Sequence, residues 1–118
     1  MKDMKRLRSL NLSGIHDATD AGMAYVAQMS GLESLDLVAT KITDLGLAKL
    51  TALHQLRRLS LVETHVTAAG VAKLHGMKKL EQICLDYTEI NDEDVTKLKD
   101  SGIPASKLPG SRPSWTRR

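Results

Sequence analysis

The chain has no phenylalanine, one tryptophan, two tyrosines, one cysteine and three prolines in 118 residues. Without large aromatics, a core centred on stacked rings is excluded, and the interior must be assembled from many small aliphatic pieces. A single cysteine, Cys84, excludes an internal disulfide framework and any Cys-based zinc site. No apolar run approaches the ~20 residues that a membrane-spanning helix needs. The charged start Met1-Lys2-Asp3-Met4-Lys5-Arg6 leads into no signal-peptide core. The sequence therefore reads as one soluble, cytoplasmic domain with no membrane partner.

Positive charge is also scarce where a nucleic-acid binder would need it. The formal charge of +3 comes from residues 105–118, which hold Lys107, Arg112, Arg117 and Arg118 and no acid. The remainder carries 14 acids against one fewer base. A folded surface that is slightly acidic argues against nucleic acid as the partner.

What the sequence does have is repetition. Leu7-Arg8-Ser9-Leu10-Asn11-Leu12, Leu32-Glu33-Ser34-Leu35-Asp36-Leu37 and Leu56-Arg57-Arg58-Leu59-Ser60-Leu61 share the pattern LxxLxL. Leu80-Glu81-Gln82-Ile83-Cys84-Leu85 is a fourth copy, with Ile83 for one leucine. The second halves repeat too. Thr40-Lys41-Ile42-Thr43-Asp44-Leu45-Gly46-Leu47 aligns with Thr64-His65-Val66-Thr67-Ala68-Ala69-Gly70-Val71 and with Thr88-Glu89-Ile90-Asn91-Asp92-Glu93-Asp94-Val95. In the first copy Thr19-Asp20-Ala21-Gly22 falls one residue late.

Leucines two apart fall on one face of a strand, which turns the residue between them the other way. Thr19, Thr43, Thr67 and Asn91 stand where helices should begin, followed in three copies by aspartates that suit a helix N-terminus. Each unit is thus expected to run strand, turn, short helix and return loop. The strands should be parallel and centred on Leu10, Leu35, Leu59 and Ile83. The helices are expected around residues 20–28, 44–52, 68–75 and 92–99. The predicted class is an α/β solenoid of about four right-handed βα units, with a parallel strand face and an outer helix face.

The units divide as 7–31, 32–55, 56–79 and 80–103, after a short basic lead at 1–6. Pro104 occupies the slot of a fifth leading leucine, and a proline cannot donate to a further strand. Residues 104–118 are therefore expected to be a cap remnant, with Ile103 and Leu108 tucked over the open end. The polar, Pro-interrupted segment 109–118 should be disordered and dispensable, unless Trp115 folds back over the last unit.

These motifs resemble those of the leucine-rich-repeat superfamily over residues 7 to about 103. The TxITDxGL-type segment is similar to 24-residue repeats common in bacterial proteins. It is similar also to the cysteine-containing repeats of F-box substrate receptors, with Thr40, Thr64 and Thr88 where those often carry Cys. The resemblance implies a curved scaffold that binds a protein partner on its strand face. The alternative it implies is a C-terminal or adaptor piece of a larger repeat assembly, such as a ubiquitin-ligase-type substrate receptor.

Candidate binding residues follow from the outward strand positions, which neighbouring strands place side by side. They are Ser9, Asn11, Ser34, Asp36, Arg58, Ser60, Gln82, Cys84 and Asp86, with Tyr87 beside them, and Ser13, Val38 and Val62 complete the grid. All are expected to face solvent. Lys49, Lys73 and Lys97 recur at one helical position and read as a solubilising row. None of His16, His54, His65 and His75 has a second ligand at metal-binding spacing, so no metal and no cofactor is expected. Cys84 and His65 sit on different parts of different units, and no phosphate-cradling loop occurs, so the chain is not expected to be an enzyme. Only six residues precede the first unit, which leaves its sheet edge thinly protected and implies weak self-association there.

Overall fold

The computed structural model describes residues 6–15 and 17–107. Four strands and four helices alternate. They are β1 (Ser9–Asn11), α1 (Asp20–Val26), β2 (Ser34–Asp36), α2 (Asp44–Lys49), β3 (Arg58–Ser60), α3 (Ala68–Ala72), β4 (Gln82–Cys84) and α4 (Asp92–Asp100). A fifth strand, β5 (Ala105–Ser106), follows. The sheet is parallel throughout, in the order β1-β2-β3-β4-β5. Leu10, Leu35, Leu59 and Ile83 lie in register, so the sequence period is also the strand period.

Each unit closes in the same way. After the strand the backbone turns through a residue at positive φ: Gly14 in the first unit, then Ala39, Glu63 and Tyr87 near +60°. Thr40, Thr64 and Thr88 follow these turns, and their hydroxyls donate to the carbonyls of Leu37, Leu61 and Leu85. A threonine hydroxyl bonded to a carbonyl three residues back holds the turn against its unfavourable left-handed residue. The pairing runs past the three-residue strands: Leu37 N–H donates to Ser60 C=O at 3.0 Å and Ala39 N–H to Val62 C=O at 2.9 Å.

The principal core lies between sheet and helices. In the second unit Leu32, Leu35, Leu37, Ile42, Leu47, Leu50 and Leu53 are fully buried. The third and fourth units repeat these slots with Leu56, Leu59, Leu61, Val66, Val71 and Leu74, then Leu80, Ile83, Leu85, Ile90, Val95 and Leu98. Each side chain contributes about 1.5–3 kcal/mol on burial, before chain entropy is subtracted. The first unit is less covered: Leu7, Leu10 and Leu12 are only partly buried.

Two expectations need correction. Pro104 does not end the sheet, because the chain continues into β5. The Pro104 carbonyl accepts from Ile83 N–H at 2.9 Å, a role that needs no donor from proline. The outward strand residues are not a uniformly solvated grid either. Asp36 (3% exposed), Ser60 (0%), Cys84 (1%) and Asp86 (4%) are buried, as are Val38 and Val62. Val38, Val62 and Cys84, with Ala39 against them, form a second, smaller apolar cluster on the side of the sheet away from the main core. Short side chains at close strand spacing are shadowed by such neighbours, and Asp36 folds back to accept from Val38 N–H at 3.0 Å.

Ile103 is buried in the principal core. Gly102, at φ +90°, ends α4 and lets Ile103 N–H return to the Leu98 carbonyl at 2.9 Å. The expectations for residues 1–5, His16, Leu108 and 109–118 lie outside the described residues.

Candidate binding surface

The first outward column carries alternating charge. Arg8, Glu33, Arg57 and Glu81 occupy the same position in successive units, and backbone bonds tie them in sequence. Glu33 N–H donates to Arg8 C=O, Arg57 N–H to Glu33 C=O and Glu81 N–H to Arg57 C=O, at 2.7–2.8 Å. Opposite charges on adjacent strands attract. Arg57 reaches Glu81 at 2.8 Å, while the Arg8 guanidinium turns to the Gly31 carbonyl at 3.3 Å. Next to this column stand Ser9, Ser34, Arg58 and Gln82, in register across four strands. Together Arg8, Ser9, Glu33, Ser34, Arg57, Arg58 and Glu81 line a depression of about 450 Å³. Ser9, Asn11 and Arg58 are exposed and Ser34 and Gln82 half-buried.

A second depression, of about 630 Å³, opens where the third and fourth strands turn toward their helices. Glu63, Thr64, His65, Tyr87, Thr88 and Glu89 line it. Tyr87 is 63% exposed there, held outward by its left-handed backbone. The site residues expected from sequence are thus split. Ser9, Asn11, Arg58 and Tyr87 are exposed and Ser34 and Gln82 half-buried, while Asp36, Ser60, Cys84 and Asp86 are inside. Cys84 is a buried thiol that accepts from Gln82 Nε2 at 3.8 Å. His65 is exposed in the second depression. Among the described residues no group of three His, Cys, Asp or Glu side chains could hold a metal ion, and no helix is long and apolar enough to cross a membrane.

Lys49 and Lys73 are exposed on the helix side. Lys49 donates to the Asp20 carbonyl at 3.1 Å and Lys97 pairs with Glu93 at 3.5 Å within its own helix. Two of the three row members thus have local partners.

Sequence reasoning missed the joint between units. The aspartate that opens a helix does not cap its own helix. It reaches to the next one. Asp20 Oδ1 accepts from Thr43 N–H at 2.7 Å and Gly46 N–H at 3.0 Å, and Oδ2 from Thr43 Oγ1 at 2.5 Å. Asp44 accepts from Thr67 N–H at 2.8 Å and Thr67 Oγ1 at 2.6 Å. Gly46 and Gly70 are required by this arrangement: a Cβ on either would overlap the preceding carboxylate oxygen. Burial pushes the Asp20 carboxyl up, but the Thr43 hydroxyl, the two N–H donors and the Lys49 charge outweigh it and hold the group below the usual carboxylate range. The signal was present as the co-occurrence of Asp in one unit with Thr and Gly in the next.

Comparison with known proteins returns no matching family model and no significant match among curated proteins.

Proposed function

We propose that the chain is a leucine-rich-repeat solenoid that binds a protein partner across its outward strand face. The observation that carries this reading is the strip formed by the Arg8–Glu33–Arg57–Glu81 and Ser9–Ser34–Arg58–Gln82 columns. It is a continuous, backbone-fixed surface on which charge alternates at each strand. Such a rigid polar strip suits a partner segment with charged groups of both signs, and Arg58 supplies an accessible anchor. Tyr87, exposed in the second depression where the strands turn toward their helices, adds an aromatic one. The buried Asp36, Ser60, Cys84 and Asp86 form the floor of the face, so direct contact falls to the rims.

The test compares two double variants in capture of partners from a cell extract. Arg58→Glu with Tyr87→Ala should abolish capture of a specific protein, while Lys49→Glu with Lys73→Glu should retain it. Equal loss in both, with each variant folded, would move the site to the helix side.

A further inference from the structure

The joints between units are not all built alike. At the second and third helices the N-cap N–H is satisfied from outside, by Asp20 and Asp44 of the preceding unit. At the fourth it is satisfied from inside. Residue 68 is alanine, and Asn91 and Asp94 form a reciprocal capping box, Asp94 N–H to Asn91 Oδ1 at 2.8 Å and Asn91 N–H to Asp94 Oδ2 at 3.3 Å. The third helical position follows the same rule: glycine where a carboxylate must enter (Gly46, Gly70), aspartate where none does (Asp94). The first helix breaks it. Gly22 occupies the glycine position, yet nothing among the described residues lies within 4 Å of where its Cβ would be. The Thr19 side chain makes no capping bond. A helical glycine costs about 1 kcal/mol relative to alanine without such a need.

Two other features of this end agree. β1 is the terminal strand of the sheet among the described residues. Leu7, Leu10 and Leu12 are partly open where their counterparts Leu32, Leu35 and Leu37 are sealed by a preceding unit. Strand edge, apolar slots and glycine gap all lie on one face, the geometric continuation of the joints between units one, two and three.

We propose that this end face is the receiving half of a joint and docks one further βα unit, carried by a partner chain, whose helix opens with an aspartate. The incoming strand pairs with β1, its leucines cover Leu7, Leu10 and Leu12, and its carboxylate enters the space kept by Gly22 to meet Thr19. This surface is separate from the strand-face strip, and either reading can fail alone.

The probe is the full chain with a copy of residues 32–55 inserted between Arg6 and Leu7, which supplies an aspartate at the docking position. Its amides at Ser9–Asn11 should gain at least about tenfold in exchange protection, and Tm should rise by about 4 °C or more. An insert copied from residues 56–79, with alanine at that position, should give a clearly smaller gain. Gly22→Asp should raise Tm of the natural chain by completing a capping box with Thr19, and should cancel the gain from the 32–55 insert. The proposal is overturned if the two inserts are equivalent or if neither protects β1. It is also overturned if Gly22→Asp stabilises the natural and extended chains alike, or if the natural chain forms a dimer that protects Ser9–Asn11, since the occupant is then a second copy.

Discussion

Replacing Asp20 and Gly46 singly and together gives a sharp test of the joint between the first two units. Asp20→Ala removes three hydrogen bonds to a carboxylate, two of them from Thr43 and one from Gly46. Bonds to charged groups are worth about 1.5–3 kcal/mol each. The carboxylate is only half-buried, so water replaces part of what is lost and the expected cost is about 3 kcal/mol. Gly46→Ala places a methyl on the Asp20 carboxylate oxygen, 3.0 Å from Met23 Cγ and 3.2 Å from Asp20 Cα. The carboxylate must leave, and the loss exceeds the helix gain of about 1 kcal/mol, for a net cost of about 1–2 kcal/mol. With Asp20 already alanine, the oxygen is gone and the flexible Met23 side chain can yield. The second substitution should then be neutral or stabilising. The cycle therefore predicts a coupling of about 2 kcal/mol, measured by urea unfolding at neutral pH with unchanged m values. Costs that add to within about 0.5 kcal/mol would refute the joint as described.

Four further outcomes are expected. Gly22→Ala, with open space at its Cβ, should stabilise the chain by about 0.5–1 kcal/mol in the same urea assay. Because the Asp20 carboxyl lies below its usual range when folded, its contribution is full above the unfolded value of about 4 and is lost as pH falls through the folded one; the difference in stability between wild type and Asp20→Asn should be constant from pH 7 to about 5 and shrink in acid. Ala68→Asp should destabilise, since its carboxylate would face that of Asp94, and adding Asp94→Gly should recover the loss, both read as Tm. Leu59→Ala, at the centre of β3 with no exposed surface, should cost about 2–5 kcal/mol in chemical unfolding.

The element order was legible because each leucine and N-cap position recurs at fixed spacing. Strand centres at Leu10, Leu35, Leu59 and Ile83 and helix starts at Asp20, Asp44, Ala68 and Asp92 lie where the repeat puts them. The burial of Asp36 and Ser60 was not legible. Alternation tells which side of the sheet a residue faces, not what else stands on that side, and the Val38–Val62–Cys84 cluster depends on neighbours 24 residues apart. β5 was missed because Pro104 was judged by the donor it lacks, not the acceptor it keeps. For the candidate surface, Arg58 and Tyr87 were readable as single residues. The alternating Arg8–Glu33–Arg57–Glu81 column becomes visible only when the units are laid side by side.

The substitution of alanine for aspartate at residue 68 divides the array. Upstream of it, two carboxylates rivet three units together through directed, charge-dependent bonds. Downstream, no such carboxylate joint is made, and the last unit is held by sheet pairing, apolar contact and the exposed Arg57–Glu81 pair. An array with nearest-neighbour cohesion opens first at its weakest seam. The fourth unit, with β5 behind it, should therefore peel away as one piece while the other three stay closed. Cys84 lies just beyond that seam with its thiol covered. The rate at which it reacts with a thiol reagent is then a clock for how often the seam parts, and Ala68→Asp with Asp94→Gly should slow it.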